Sequence, residues 1–161
     1  MRSQPGVTQV FSSADIPGEI LDLLVVDTAT LKANPDLGKA LAGIWYETVG
    51  LMVRDDAQGK EARAAMAKLA GTTPEIFESQ LKTTRLYVDP KEAVAATTSP
   101  DLVSTMTKVR DFSFSKGLFQ GATSADAVGI AFPGGVTLGD PARVTLRFDD
   151  SFMRLAADGK L

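Results

Sequence analysis

Ile20-Leu21-Asp22-Leu23-Leu24-Val25-Val26 is apolar at every position but Asp22. Successive side chains of a strand point to opposite faces, so such a run asks for cover on both, as in a parallel or mixed sheet packed between helices. It argues against a one-faced antiparallel sheet and sets the expected class as α/β. Just upstream, Ser12-Ser13-Ala14-Asp15-Ile16-Pro17-Gly18 forms a polar elbow, preceded by a second β-prone run at residues 7–11.

Downstream the period changes to that of helices. Asn34 can accept the free amide protons of a first turn and Pro35 fits where no backbone N–H is needed, so a helix is expected from residue 34. Leu37, Leu41, Ile44, Trp45, Thr48 and Met52 then follow along one side of a 3.6-residue helix, a stripe expected to be buried. The same polar-then-proline signal recurs at Thr73-Pro74, Asp89-Pro90 and Ser99-Pro100. A further helix is expected over 61–70, stopped by Gly71, and the stripe Leu102, Val103, Met106 and Val109 marks a last long helix ended by Gly117. Beyond it, residues 128–132 and 144–148 alternate with a period of two around Pro133-Gly134-Gly135, which predicts a hairpin-like pair, and residues 151–158 close the chain as a short helix. The organisation is thus one unit over 1–161: strands at 7–27, a helical part at 34–117, a β segment at 128–148 and the terminal helix.

The 161 residues suit one domain, and 44% hydrophobic content is enough for a single core. With no Cys and no His, the sequence has no disulfide framework, thiolate nucleophile, Cys/His zinc site or Ser-His-Asp relay, so it reads as a non-enzyme without cofactor or metal. A formal charge of −3 gives no basic footprint for nucleic acid. No stretch approaches the ~18 apolar residues of a membrane span, and Met1-Arg2-Ser3-Gln4-Pro5-Gly6 lacks the apolar region of an export signal.

Candidate ligand groups are few. Ser12, Ser13 and Asp15 lie in the elbow, where hydroxyls and a carboxylate meet a ligand at a sheet end or else cap their own turn. Trp45 and Tyr46, neighbours about 100° apart on a helix, cannot both face the core. Trp45 lies on the apolar stripe, whereas Tyr46 either stacks on a ligand or covers a neighbouring helix. Glu47 beside them is a partner for a cation or part of a solvated face. The pairs Asp55-Asp56 and Asp149-Asp150 read as helix caps rather than as ion ligands.

The succession SSADIPGEILDLLVV, ANPDLGKALAGIWYETVGLM, TTPEIFESQL and TSPDLVSTMTKVRDFSFSKGLF resembles the C-terminal portion of a substrate-binding protein of an ABC transporter, of the nitrate/taurine/sulfonate type. Asn34-Pro35, Thr73-Pro74-Glu75 and Lys116-Gly117-Leu118 occupy the places of that family's helix starts and of its last helix end. The tail, with Ser124-Ala125-Asp126-Ala127-Val128-Gly129-Ile130 and Arg147-Phe148-Asp149-Asp150-Ser151-Phe152-Met153, is most similar to the subgroup accompanying urea-carboxylase-type enzymes, usually described as urea- or guanidine-related.

The resemblance covers nearly all of the chain from Val7 onward and corresponds to about the last half of a family member. It implies a partial type II periplasmic-binding-protein fold, mostly helical with a few strands. Residues 7–27 would be the crossover strands and hinge, and 34–117 the helices completing lobe one. It further implies a periplasmic fragment of a solute-binding component, with a small nitrogen-containing solute and ABC permease subunits as partners. Without an export signal, the chain as written would stay in the cytoplasm. The resemblance together with the chemistry of the elbow nominates Ser12, Ser13, Asp15, Trp45, Tyr46 and Glu47 as ligand contacts. Two other classes compete. A thiamine pyrimidine synthase of similar fold leans on His and Cys, which this sequence lacks. A non-catalytic effector-binding or protein-interaction module remains the main alternative. Leu23, Val25, Leu41, Ile44, Leu69, Leu81, Val103 and Met106 are expected to share one core. The two-faced run is expected to drive self-association wherever its cover is missing.

Overall fold

Proline after a polar residue starts four of the helices, at Pro35, Pro74, Pro90 and Pro100, as the sequence indicates. In the computed structural model, which describes residues 5–161, α1 (Thr28–Ala33) is followed by α2 (Pro35–Met52), α3 (Ala57–Leu69), α4 (Pro74–Leu81), α5 (Pro90–Thr98) and α6 (Pro100–Ser115). The side chains of Thr73, Asp89 and Ser99 accept from the first-turn amides of Ile76, Lys91 and Asp101, which satisfies donors a helix cannot pair internally. Gly71 and Gly117 follow α3 and α6 with φ of 67° and 71°, the left-handed stop expected of them.

Two starts differ from expectation. Asn34 makes no side-chain cap; its Nδ2 instead donates back to the Thr30 carbonyl at 3.2 Å and closes α1, a short helix capped by Asp27. The helix expected at 61–70 begins at Ala57, because Asp56 accepts from the Gly59 amide at 2.9 Å and moves the first turn upstream.

After α6 the chain forms a small mixed sheet. β1 (Gly129–Ala131) lies between β2 (Thr137–Leu138) and β3 (Val144–Arg147), giving the order β2-β1-β3. β2 runs antiparallel to β1 with Ile130 opposite Leu138, and β3 runs parallel with Ile130 opposite Leu146. The two alternating segments expected to form a hairpin are therefore parallel neighbours. The turn at 133–135 leads instead into Thr137–Leu138, which takes the antiparallel place. Phe132 and Phe148 stack at 5.3 Å beyond the ends of β1 and β3. α7 (Ser151–Ala157) then packs on α5 and α2, while α3 packs on α2 and α4.

The core sits among these layers. Val49, Ala67, Ile130 and Phe132 are buried, and Gly38 on α2 lies so close to the Phe152 ring of α7 that a Cβ there would overlap it. Gly38, Ala42 and Val49 lie within about 40° of one another on α2, a face rotated by roughly one residue from the stripe of large hydrophobes. The small residues choose the contact side, since they allow α7 to approach. Ile44 is consequently 61% exposed and Trp45 43% exposed, against the expectation that both are core. Leu69, in the last turn of α3, is also exposed; Leu41, Leu81, Val103 and Met106 are half-buried.

The largest correction concerns the N-terminal segment. Residues 7–11 and 20–26 are not strands; a 3-10 turn at Ser13–Asp15 and a turn closed by the Glu19 amide on the Ile16 carbonyl lie between them. A strand requires partners along its edges, and residues 20–26 make no backbone hydrogen bond among the described residues. Leu23 and Val25, expected in the core, are exposed with Ile20 and Leu24. What survives of the fold-class reading is a mixed α/β chain, mostly helical, with a small three-stranded sheet at its C-terminal end.

Candidate functional site

Ser12 and Asp15 form a reciprocal capping box. The Ala14 amide donates to Ser12 Oγ at 3.3 Å, while the Ser12 amide donates to Asp15 Oδ2 at 2.7 Å and the Ser12 hydroxyl to the same oxygen at 3.4 Å. The acceptors nominated for a ligand are thus engaged in their own turn, the self-capping reading of the elbow. Ser13, between them, is exposed.

Trp45, Tyr46 and Glu47 are consecutive on α2, where Trp45 and Glu47 are exposed and Tyr46 is half-buried. Partial burial raises the Tyr46 phenol above its ordinary value of 10.0, and the Asp89 carboxylate at the start of α5 adds to the shift. That proximity favours the helix-covering role for Tyr46. No hydrogen bond or ion pair among the described residues joins 12–15 to 45–47. Among the described residues, the one ion pair from the segment to the helices is Glu19–Lys108 at 3.2 Å.

The acidic pairs act at helix starts. Asp56 caps α3 and pairs with Arg54, and Asp149 Oδ1 accepts from the Ser151 amide at 2.8 Å at the start of α7. Asp150, expected to cap that helix, pairs instead with Arg154 one turn on. The Gly59 amide, together with Arg54, holds Asp56 below the usual carboxylate range, and the Thr30 amide and hydroxyl do the same for Asp27. No group of three or more carboxylates among the described residues could hold a metal ion.

Two clefts mark the helical part, and none of the six nominated residues lines either. The first, about 470 Å³, lies between the end of α2, α3 and α4 and holds Arg63, Glu78, Asp55 and Lys82. Arg63 is buried: its Nη1 donates to the carbonyls of Met52 at 2.9 Å and Arg54 at 2.7 Å, and its Nε to Glu78 Oε1. These carbonyls, at the end of α2 and just beyond it, accept no backbone amide, so the guanidinium ties three helices together. The lining carries charges of both signs, Arg54 among them, and the arrangement is a structural clamp.

The second cleft, about 480 Å³, lies between the α5–α6 junction and the turn after β1. Thr97, Thr98, Ser99, Ser104 and Thr107, all hydroxyl-bearing residues, line it together with Val103, Phe132 and Val136. No charged side chain lines it. Sequence reasoning missed these hydroxyls because Thr97-Thr98-Ser99 reads first as a helix end and cap. The available signal was Ser104 and Thr107, spaced one helical turn apart beside the apolar stripe of α6.

No helix among the described residues is long and apolar enough to cross a membrane. Comparison of the chain with protein-family models, with curated proteins and with solved structures finds no match.

Proposed function

We propose that this chain is the C-terminal part of the solute-binding component of an ABC importer for a small nitrogen-containing compound, of the urea- or guanidine-related kind. It recognises a solute, performs no reaction, and serves permease subunits at the periplasmic face of a membrane. The observation that carries the reading is the run at 20–26, apolar at all but one position, outside any helix or strand and without backbone partners among the described residues. A central strand separated from its neighbours has those properties. The order of elbow, two-faced run and helical layer is also the order of the resembling family. The chain exposes 11,221 Å², against about 7,700 Å² for a compact monomer of its mass, which agrees with a lobe lacking part of its cover.

The test is calorimetric titration with a panel of neutral, cationic and anionic small nitrogen compounds. Saturable binding of one of them supports the reading. Absence of binding across the panel, together with co-purification of a stoichiometric protein partner, overturns it in favour of an interaction module. The exposed apolar run favours that second reading too, because an unpaired strand edge equally suits strand addition by a partner.

A further inference from the structure

We infer that the run at 20–26 pairs as a strand with the outer edge of β3 in a second copy of this chain, antiparallel and with Asp22 opposite Arg147. The inference stands apart from the solute-binding reading, since it concerns what covers the run whatever the chain recognises.

Each copy carries both halves of the pairing. The run has no backbone partner, and β3, last in the order β2-β1-β3, has a strand on one side only among the described residues. A single chain does not join the two: Glu19 pairs with Lys108 on α6 and Asp27 caps α1, which holds both ends of the run, and no backbone bond leads from the run to β3. Two copies related by a two-fold axis supply each other's missing strand, and the exchange closes on itself. Surface for it is ample. The chain exposes 11,221 Å², roughly 3,500 Å² above a compact monomer of its mass, whereas a standard interface takes about 800 Å² from each partner.

Burial and charge together choose the register. Val144, Leu146 and, just past β3, Phe148 are half-buried, and Arg143, Thr145 and Arg147 alternate with them as exposed residues. Opposite residues of an antiparallel pair share a face. With Asp22 opposite Arg147, Val25 meets Val144, Leu23 meets Leu146 and Leu21 meets Phe148, all on the half-buried face. The one charged residue of the run then falls on the exposed face beside a guanidinium. Leu24 lies against Thr145 there, and Val26 against the apolar stem of Arg143. Asp22, Arg143 and Arg147 join no ion pair among the described residues, so the attraction is available between copies. A slip of one residue would set Asp22 opposite Leu146 or Phe148, a carboxylate on the apolar face without a partner.

Sedimentation over a range of concentrations, with charge-reversed variants, is the test. The unaltered chain should dimerise, and Asp22→Arg or Arg147→Asp alone should weaken the dimer by at least about tenfold, because attraction becomes repulsion at both symmetry-related sites. Both side chains are exposed, so helix content should not change. The two substitutions in one chain should restore the dimer. The sequence has no Cys, so a mixture of Leu24→Cys chains with Thr145→Cys chains should form a disulfide between copies, since opposite residues of paired strands lie within its reach. A monomer at every concentration would overturn the inference. So would a dimer indifferent to both reversals, a double variant that stays monomeric, or a mixture that forms no cross-link. Rescue of Asp22→Arg by Arg143→Asp in place of Arg147→Asp would overturn the antiparallel register.

Discussion

β1 and the run at 20–26 have the same kind of sequence and opposite surroundings. Both place apolar groups on successive positions and so on both faces. β1 has β2 on one edge and β3 on the other, the Gly129 amide reaches the Arg143 carbonyl at 3.0 Å, and Ile130 is 4% exposed. The run has no backbone partner among the described residues, and Val25 is 71% exposed. Two-faced apolarity is thus a requirement for neighbours and does not itself supply them. Where the described residues supply the neighbours, a strand forms even at three residues; where they do not, seven residues take no strand.

Substitutions of graded severity sharpen this contrast. Phe132→Ala removes a buried ring stacked on Phe148 and should cost about 3–5 kcal/mol in denaturant unfolding, the largest effect expected here. A loss below about 1 kcal/mol would mean that the sheet is not part of the core. Arg63→Met leaves the Met52 and Arg54 carbonyls and Glu78 without their donor and should cost about 1–3 kcal/mol. An unchanged unfolding midpoint would show that water replaces the clamp.

Ile44→Ala and Val25→Asp should each change stability by less than about 0.5 kcal/mol, since both side chains are exposed. Val25→Asp should nevertheless lower the binding of an apolar dye and any self-association. If Ile44→Ala cost 2 kcal/mol or more, about the value for a core site, the buried face of α2 would be the one drawn by its large hydrophobes.

The smallest expected effect depends on pH. Asp27 and Asp56 are held below their ordinary value of 3.8 by first-turn amides. Each binds its proton more weakly folded than unfolded, so its stabilisation is complete above the unfolded value and is lost as pH falls through the folded one. Helix signal should therefore decline below pH 4, about the ordinary range of these carboxyls, and decline less in the double variant Asp27→Asn, Asp56→Asn. Equal acid sensitivity with and without the two carboxylates would remove the caps from the account.

Local signals were the legible ones. Thr73, Asp89 and Ser99 act through groups two or three residues away, so the sequence contains the whole interaction and the helix starts can be read from it. Gly71 and Gly117 are legible for the same reason. The face of α2 was not, because it depends on where Phe152 arrives from more than a hundred residues downstream. The parallel pairing of β1 and β3 likewise depends on Thr137–Leu138 taking the hairpin place first. Among the candidate site residues, the self-capping of Ser12 and Asp15 was foreseeable from their spacing. The hydroxyl cleft was not, since it joins α5, α6 and the turn after β1 across more than thirty positions.

Amide hydrogen exchange followed by mass spectrometry, at a dilution where sedimentation shows a monomer, tests the central contrast most directly. Residues 20–26 should exchange at the rate of an unstructured peptide, while the Gly129 and Phe132 amides, bonded to Arg143 and Val136, should be slowed by several orders of magnitude. Protection of residues 20–26 equal to that of β1 in the monomer would show that the run already has its strand partners, and would contradict the account.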